Sequence, residues 1–145
     1  MAGVRFLHGL TICAGLALAL PCPARAAPPV PVDKAFRFSI QRDAGGLALR
    51  WAALPGHYLY RDRFEAVTEA GVNLALAPPP GERKDDPNFG DVEIYRDAVS
   101  ISVPAAELPP RGALRVTYQG CAESGFCYAP VTKTIDLRTL AITEE

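Results

Sequence analysis

The sequence predicts an all-β domain, an immunoglobulin-like antiparallel β-sandwich. Beyond residue 32 the apolar residues alternate with a period of two instead of recurring every three or four. The 14 prolines and 12 glycines are scattered without a repeat, as many short strands joined by turns require. No segment reads as a convincing amphipathic helix. With 145 residues, 49% apolar and 21% charged, the composition is that of one folded domain. A near-neutral formal charge of -1 and the absence of any Lys/Arg run exclude nucleic acid as a partner class.

The first element is an address. Met1 to Arg5 forms a short positive start, Phe6 to Leu20 an apolar run, and Ala24-Arg25-Ala26 a small-residue cleavage site, the three parts of a secretory signal peptide. The run of about 15 residues falls short of the roughly 20 that span a bilayer. Pro21 before Cys22 argues against a lipoprotein signal. Residues 1–26 are therefore expected to be cleaved and 27–145 to form a single domain. Cleavage removes Arg5 and Arg25 but no acid, and leaves one histidine, His57, and two cysteines, Cys121 and Cys127. An exported, soluble, mildly acidic domain in an oxidising compartment is expected.

Strands follow in order. Phe36, Phe38 and Ile40 line one face of the first; after Gly45-Gly46, Leu47, Leu49 and Trp51 line the second, with Trp51 in the core. Beyond Pro55-Gly56, Tyr58 to Val67 reads as a third strand and Val72 to Leu76 as a fourth, ended by Pro78-Pro79-Pro80-Gly81. Strand character resumes at Val92, and Val99, Ile101 and Val103 share a face. After Pro109-Pro110 come Leu114, Val116 and Tyr118, and Val131, Ile135 and Leu137 close a set of about seven strands.

Five residues separate Cys121 from Cys127, and both flanks read as strands, so the pair falls at the neck of a hairpin. Opposed residues of paired strands have the separation a disulfide needs. Closing so short a loop stabilises the fold by only about 2 to 2.5 kcal/mol. The residues alone leave two readings open, a structural staple and a redox pair, with Gly120 and Gly125 giving backbone freedom and access for the second. Zinc or copper is disfavoured, since Cys121, Cys127 and His57 supply at most three soft ligands. His57 reads as a solvated surface residue without a role.

The stretch Val116-Thr117-Tyr118-Gln119-Gly120-Cys121-Ala122-Glu123-Ser124-Gly125-Phe126-Cys127-Tyr128 closely resembles the active-site hairpin of the amino-terminal domain family of DsbD, the thiol:disulfide interchange protein. Tyr58-Leu59-Tyr60-Arg61, Glu93-Ile94-Tyr95-Arg96-Asp97 and Thr132-Lys133-Thr134 agree in order and spacing, and the likeness runs from about Val32 to Leu137. The resemblance implies a monomeric periplasmic protein-disulfide reductase module. Its cysteines would cycle between disulfide and dithiol, with no other cofactor and no metal. It would accept electrons from a membrane thiol reductase or a thioredoxin-like protein. It would pass them to periplasmic thioredoxin-fold proteins such as disulfide isomerases or cytochrome c maturation thioredoxins. By the same likeness Cys127 attacks and Cys121 resolves. The rival reading is an immunoglobulin-like binding or adaptor domain whose disulfide is inert.

The resemblance also implies a cap loop over the cysteines, at Asp85-Asp86-Pro87-Asn88-Phe89-Gly90. Asn88 stands where the family's capping phenylalanine falls, with Phe89 one place later, so either Phe89 caps or the cap leaks. Tyr58, Tyr60 and Phe126 are expected around the site, and Asp85 and Asp86, if close, would disfavour a thiolate. Ala129 replaces the proline that often follows Cys-Tyr and should loosen the entry to the last strand. The family protein continues into a membrane domain and a thioredoxin-like domain. This sequence encodes neither, so electrons are expected from a separate protein.

Overall fold

Every strand pairing within residues 27–144, which are the residues described by the computed structural model, is antiparallel; the expected signal peptide lies outside them. A single helical turn, Val32–Ala35, leads into β1 (Phe36–Asp43), β2 (Gly46–Ala53), β3 (His57–Tyr60), β4 (Glu65–Thr68), β5 (Glu82–Asp86) and β6 (Gly90–Tyr95). There follow β7 (Ala98–Pro104), β8 (Ala113–Tyr118), β9 (Gly120–Ala122), β10 (Val131–Asp136) and β11 (Ile142–Glu144). They form three sheets, ordered β1-β2-β7, β11-β10-β8-β4 and β5-β6-β3-β9. Among the described residues no helix is long and apolar enough to cross a membrane.

The first two sheets enclose the main core. Alternation along β2, β7 and β8 sends Leu47, Leu49, Trp51, Val99, Ile101, Val103, Leu114, Val116 and Tyr118 inward, all buried. Trp51 sits at the centre, 4.7 Å from the Phe64 ring, 4.9 Å from Phe38 and 5.7 Å from Tyr118, separations at which aromatic pairs add to simple burial. The expected sandwich is thus present. Buried Lys133 on β10 ties its two ends together, pairing with Asp33 at 2.6 Å and Glu144 at 3.1 Å.

Several strand expectations are corrected. Tyr58 to Val67 is two strands in different sheets, β3 and β4, separated by a 3-10 turn at Arg61–Arg63. There Arg61 reaches across to the carbonyls of Pro79 (3.0 Å) and Pro78 (3.1 Å). Val72 to Leu76 is no strand: it makes one bridge, Val67 with Asn73, because a turn fastened on Thr68 precedes it and prolines, which cannot donate to a ladder, follow. The stretch from Val92 divides at Arg96-Asp97 into β6 and β7, again in different sheets. Three strands went unread, β5, β9 and β11, and His57 is buried, not solvated, edge-on to Phe36 at 6.0 Å.

The third sheet positions the cysteines. β3 alternates between two environments: Leu59 enters the main core, while Tyr58 and Tyr60 face a second cluster with Ile94 and Cys121. After Tyr118 the chain leaves the β8–β10 ladder and pairs as β9 with β3, setting Cys121 opposite Tyr58. The cysteines therefore lie beyond the neck of the β8–β10 hairpin, Cys121 on the edge strand of the third sheet and Cys127 bridged to it from outside. Only glycine fits at the crossing. A Cβ on Gly120 would stand 2.3 Å from the Tyr58 carbonyl oxygen and 2.5 Å from the Phe36 ring. Gly120→Ala should cost about 2 to 3 kcal/mol of stability in chemical denaturation, whereas alanine at open Gly125 should cost about 1 kcal/mol, from its φ of 95° alone.

Candidate functional site: a cystine under a latched loop

Cys121 and Cys127 are joined by a disulfide with their Cα atoms 4.0 Å apart. The Ala122 amide donates to the Phe126 carbonyl (2.7 Å) and the Tyr128 amide to the Gly120 carbonyl (3.0 Å). The cysteines are thus a directly opposed, non-hydrogen-bonded pair, the closest cross-strand position. The Gln119 amide also donates to the Tyr128 carbonyl at 3.0 Å, holding the two arms together. The two sulfurs are not equivalent in setting. Cys121 is fully buried, whereas Cys127 is half-buried.

Beside them a buried carboxylate gathers the site. Asp86, at the end of β5 and 2% exposed, accepts the hydroxyls of Tyr58 (2.7 Å) and Tyr60 (2.9 Å) on one oxygen. On the other it accepts the backbone amides of Asn88 (2.9 Å) and Phe89 (3.3 Å). The Tyr60 hydroxyl also lies 3.0 Å from Cys121 Sγ. One carboxylate therefore fastens the loop at its own amides and reaches the buried sulfur through Tyr60. Burial pushes the Asp86 carboxyl up, but the Tyr58 hydroxyl, the Asn88 amide and the other donors outweigh it and hold the group below the ordinary carboxylate range. Burial raises both tyrosines, with Asp86 adding to each, so their hydroxyls stay protonated as donors.

The sign of the pH dependence follows. A carboxyl lowered in the folded state stabilises the fold above its unfolded pKa of about 3.9 and loses that contribution as pH falls through the folded value. The urea midpoint should therefore hold steady from about pH 7 to 5 and drop in more acid solution, and the drop should shrink in Asp86→Asn. A full-sized drop in Asp86→Asn would assign it to other carboxylates.

The two residues weighed for the cap, Asn88 and Phe89, sit differently. Phe89 rests edge-on against Tyr60 with ring centroids 5.0 Å apart, the Arg63 guanidinium lies 4.7 Å from its centroid, and it stays 40% exposed. Asn88 reaches the cystine itself, its Nδ2 3.4 Å from Cys127 Sγ. Phe126 is 43% exposed and packs edge-on to Tyr128 at 4.9 Å. Asp85 is exposed, opposite Asp91 in the ladder, and points away from Asp86. Tyr58, Tyr60, Asp86 and Asn88 thus gather beside the two cysteines, with Phe89 one ring further out against Tyr60.

Sequence reasoning missed the cations around them. Lys84 and Arg96 lie 5.2 and 5.9 Å from the Tyr58 ring centroid and pair with Glu123 between the cysteines, Lys84 at 3.7 Å. Arg96 lies in the Glu93–Asp97 motif, but neither it nor Lys84 is marked as a neighbour of the cysteines, because β5, β6 and the hairpin meet only in three dimensions. Among the described residues no cluster of three or more His, Cys, Asp or Glu side chains is placed to hold a metal.

Fold and site together define an immunoglobulin-like domain that presents a cystine, one sulfur accessible, beneath a carboxylate-latched loop. Residues 26–139 match the family model described as "Thiol:disulfide interchange protein DsbD, N-terminal", and the chain belongs to that family. It is 47% identical over 116 residues to the thiol:disulfide interchange protein DsbD of Cronobacter sakazakii, covering 79% of this chain and 20% of that protein. Against DsbD 2 of Pseudomonas aeruginosa it is 43% identical over 111 residues, covering 74% and 18%. The chain thus spans about one fifth of the length of these relatives. Its fold is similar to the reduced DsbD N-terminal domain of Neisseria meningitidis, with a TM-score of 0.69 and 29% identity, covering 79% of this chain and 94% of that one. It is also similar to a structure of the complex between the DsbD and PilB N-terminal domains of that organism, with a TM-score of 0.67 and 28% identity, covering 81% and 94%.

Proposed function

We propose that this domain is a periplasmic thiol:disulfide exchange module that reduces the disulfides of thioredoxin-fold proteins. The observation that carries the reading is the asymmetry of the cystine: Cys121 is sealed and Cys127 half-open. A sulfur attacked by, or attacking, a macromolecule must be reachable, and its partner needs only to reach it. In the reduced domain the Cys127 thiolate attacks one sulfur of the partner's disulfide, and the partner's other sulfur leaves as a thiolate. The Cys121 thiolate then attacks Cys127 Sγ, breaking the mixed disulfide. The partner departs as a dithiol, the Cys121–Cys127 bond reforms, and two electrons have passed. The two thiol protons go to the partner's sulfurs through solvent.

The complex of the related DsbD domain with a PilB domain supports a second protein docking on this kind of domain. Disulfide isomerases and cytochrome c maturation thioredoxins fit the partner class. A membrane thiol reductase, or a thioredoxin-like protein, supplies electrons by the reverse attack on Cys127. The proposal includes export by residues 1–26, with 27–145 acting as a monomeric domain. It is tested by mixing the reduced protein with an oxidised periplasmic disulfide isomerase and counting thiols by mass. One isomerase disulfide reduced per domain oxidised is expected. Binding without thiol transfer would replace this reading with the adaptor.

A further inference from the structure

We infer that Asn88 is a catalytic residue of the attack step, its side-chain amide serving as the hydrogen-bond donor that holds the Cys127 sulfur as a thiolate. The inference rests on the exchange reading and adds to it the group that activates the attacking sulfur.

Three observations converge. Asn88 Nδ2 lies 3.4 Å from Cys127 Sγ, within the range of a hydrogen bond to sulfur. Its backbone amide is held by Asp86 Oδ1 at 2.9 Å, so the side chain is offered from a fixed position and not from a free loop. The aromatic residue of the loop, Phe89, is committed elsewhere, edge-on to Tyr60 and covered by Arg63. Cys127 remains half-buried with the loop in place, so an incoming sulfur can reach it while the amide is in contact.

The chemistry is simple. An amide N–H donates and cannot accept a proton, so its bond to sulfur strengthens as negative charge gathers there. A donor to the charged form lowers that group's pKa. A net gain typical of hydrogen bonds to charged groups corresponds to about one pH unit at a half-exposed site. Near neutral pH this raises the thiolate fraction about ten-fold, while the accompanying loss of nucleophilicity takes back part of it. The net gain in attack rate is about three-fold. The buried Cys121 has a hydroxyl, Tyr60, in the corresponding place, so each sulfur has its own polar neighbour.

The test is the pH dependence of iodoacetamide alkylation at Cys127 in the reduced protein, located by mass, across about pH 5 to 11. Asn88→Leu keeps the bulk and removes the donor; its midpoint should rise by about one unit. Asn88→Asp, which places a carboxylate by the sulfur, should raise it further. An unchanged midpoint with an altered plateau rate would mean that Asn88 only shields the sulfur and would overturn the inference. Should Asn88→Leu disturb the fold, Asn88→Ala gives the same reading at an exposed position. The midpoint is read on the thiol itself, so a shifted midpoint without transfer to a partner overturns the exchange reading, and with it the catalytic role, while leaving the Asn88 bond to the thiolate standing.

Discussion

Replacing Cys121 with Ser should convert the domain into a trap. Cys127 would still attack a partner's disulfide, but nothing would break the resulting bond, and a covalent one-to-one adduct should accumulate and survive non-reducing electrophoresis. Cys127→Ser should give no adduct, because Cys121 is fully buried under Tyr60 and a protein's sulfur cannot approach it. The contrast should exceed about ten-fold in adduct yield, since access and not intrinsic reactivity separates the two sulfurs. Equal trapping by both variants would show that the hairpin opens fully before exchange and that its burial pattern sets no order.

Asp86→Ala should be the most damaging single change outside the cysteines and the main core. The carboxylate accepts four hydrogen bonds from a position 2% exposed. Its loss leaves the buried Tyr58 hydroxyl unpaired and the Tyr60 hydroxyl with only the Cys121 sulfur, while the amides of Asn88 and Phe89 are near enough to the surface to find water. Hydrogen bonds to a charged group contribute about 1.5 to 3 kcal/mol each at best. With rehydration of the loop amides, a net loss of about 2 to 4 kcal/mol is expected in urea unfolding. The loop should also come free of β5. In the reduced protein Cys127 should then be alkylated faster at the high-pH plateau, where it is fully thiolate, while its midpoint rises with the withdrawal of the Asn88 donor, effects distinct from lower stability. Asp86→Asn keeps one acceptor oxygen and should fall between. A stability loss under about 0.5 kcal/mol would show that the tyrosines find other partners and that Asp86 is no latch.

The core was legible because alternation is a local signal. Leu47, Leu49 and Trp51, and again Val99, Ile101 and Val103, announce their inward faces within single strands, and all six are buried. Strand β5 was illegible for the opposite reason. Its five residues, Glu82–Asp86, are all charged, and they extend only because β6 pairs with them along the edge of a sheet. The breaks at Arg61–Arg63 and Arg96-Asp97 were hidden as well, since extended chain continues on both sides and only the change of sheet marks them. The cysteines stood out through their spacing and motif. What surrounds them did not, because the bonds that build the site link residues 26, 28, 39 and 61 positions apart. His57 illustrates the same limit: a lone polar residue after Pro-Gly reads as surface, yet β3 carries it beneath Tyr128, whose hydroxyl lies 3.3 Å from its Nε2.

The central claim is that the Cys121–Cys127 bond is a working redox couple and not a staple. Equilibrating the protein in defined thiol/disulfide buffers and reading the fraction of bridged chains by mass tests it most directly. A midpoint in the range of exchange catalysts, about -180 to -270 mV, is the result expected. A midpoint well below about -300 mV would mean that partners cannot open the bond under physiological poise, and would make the domain an adaptor held by a structural disulfide.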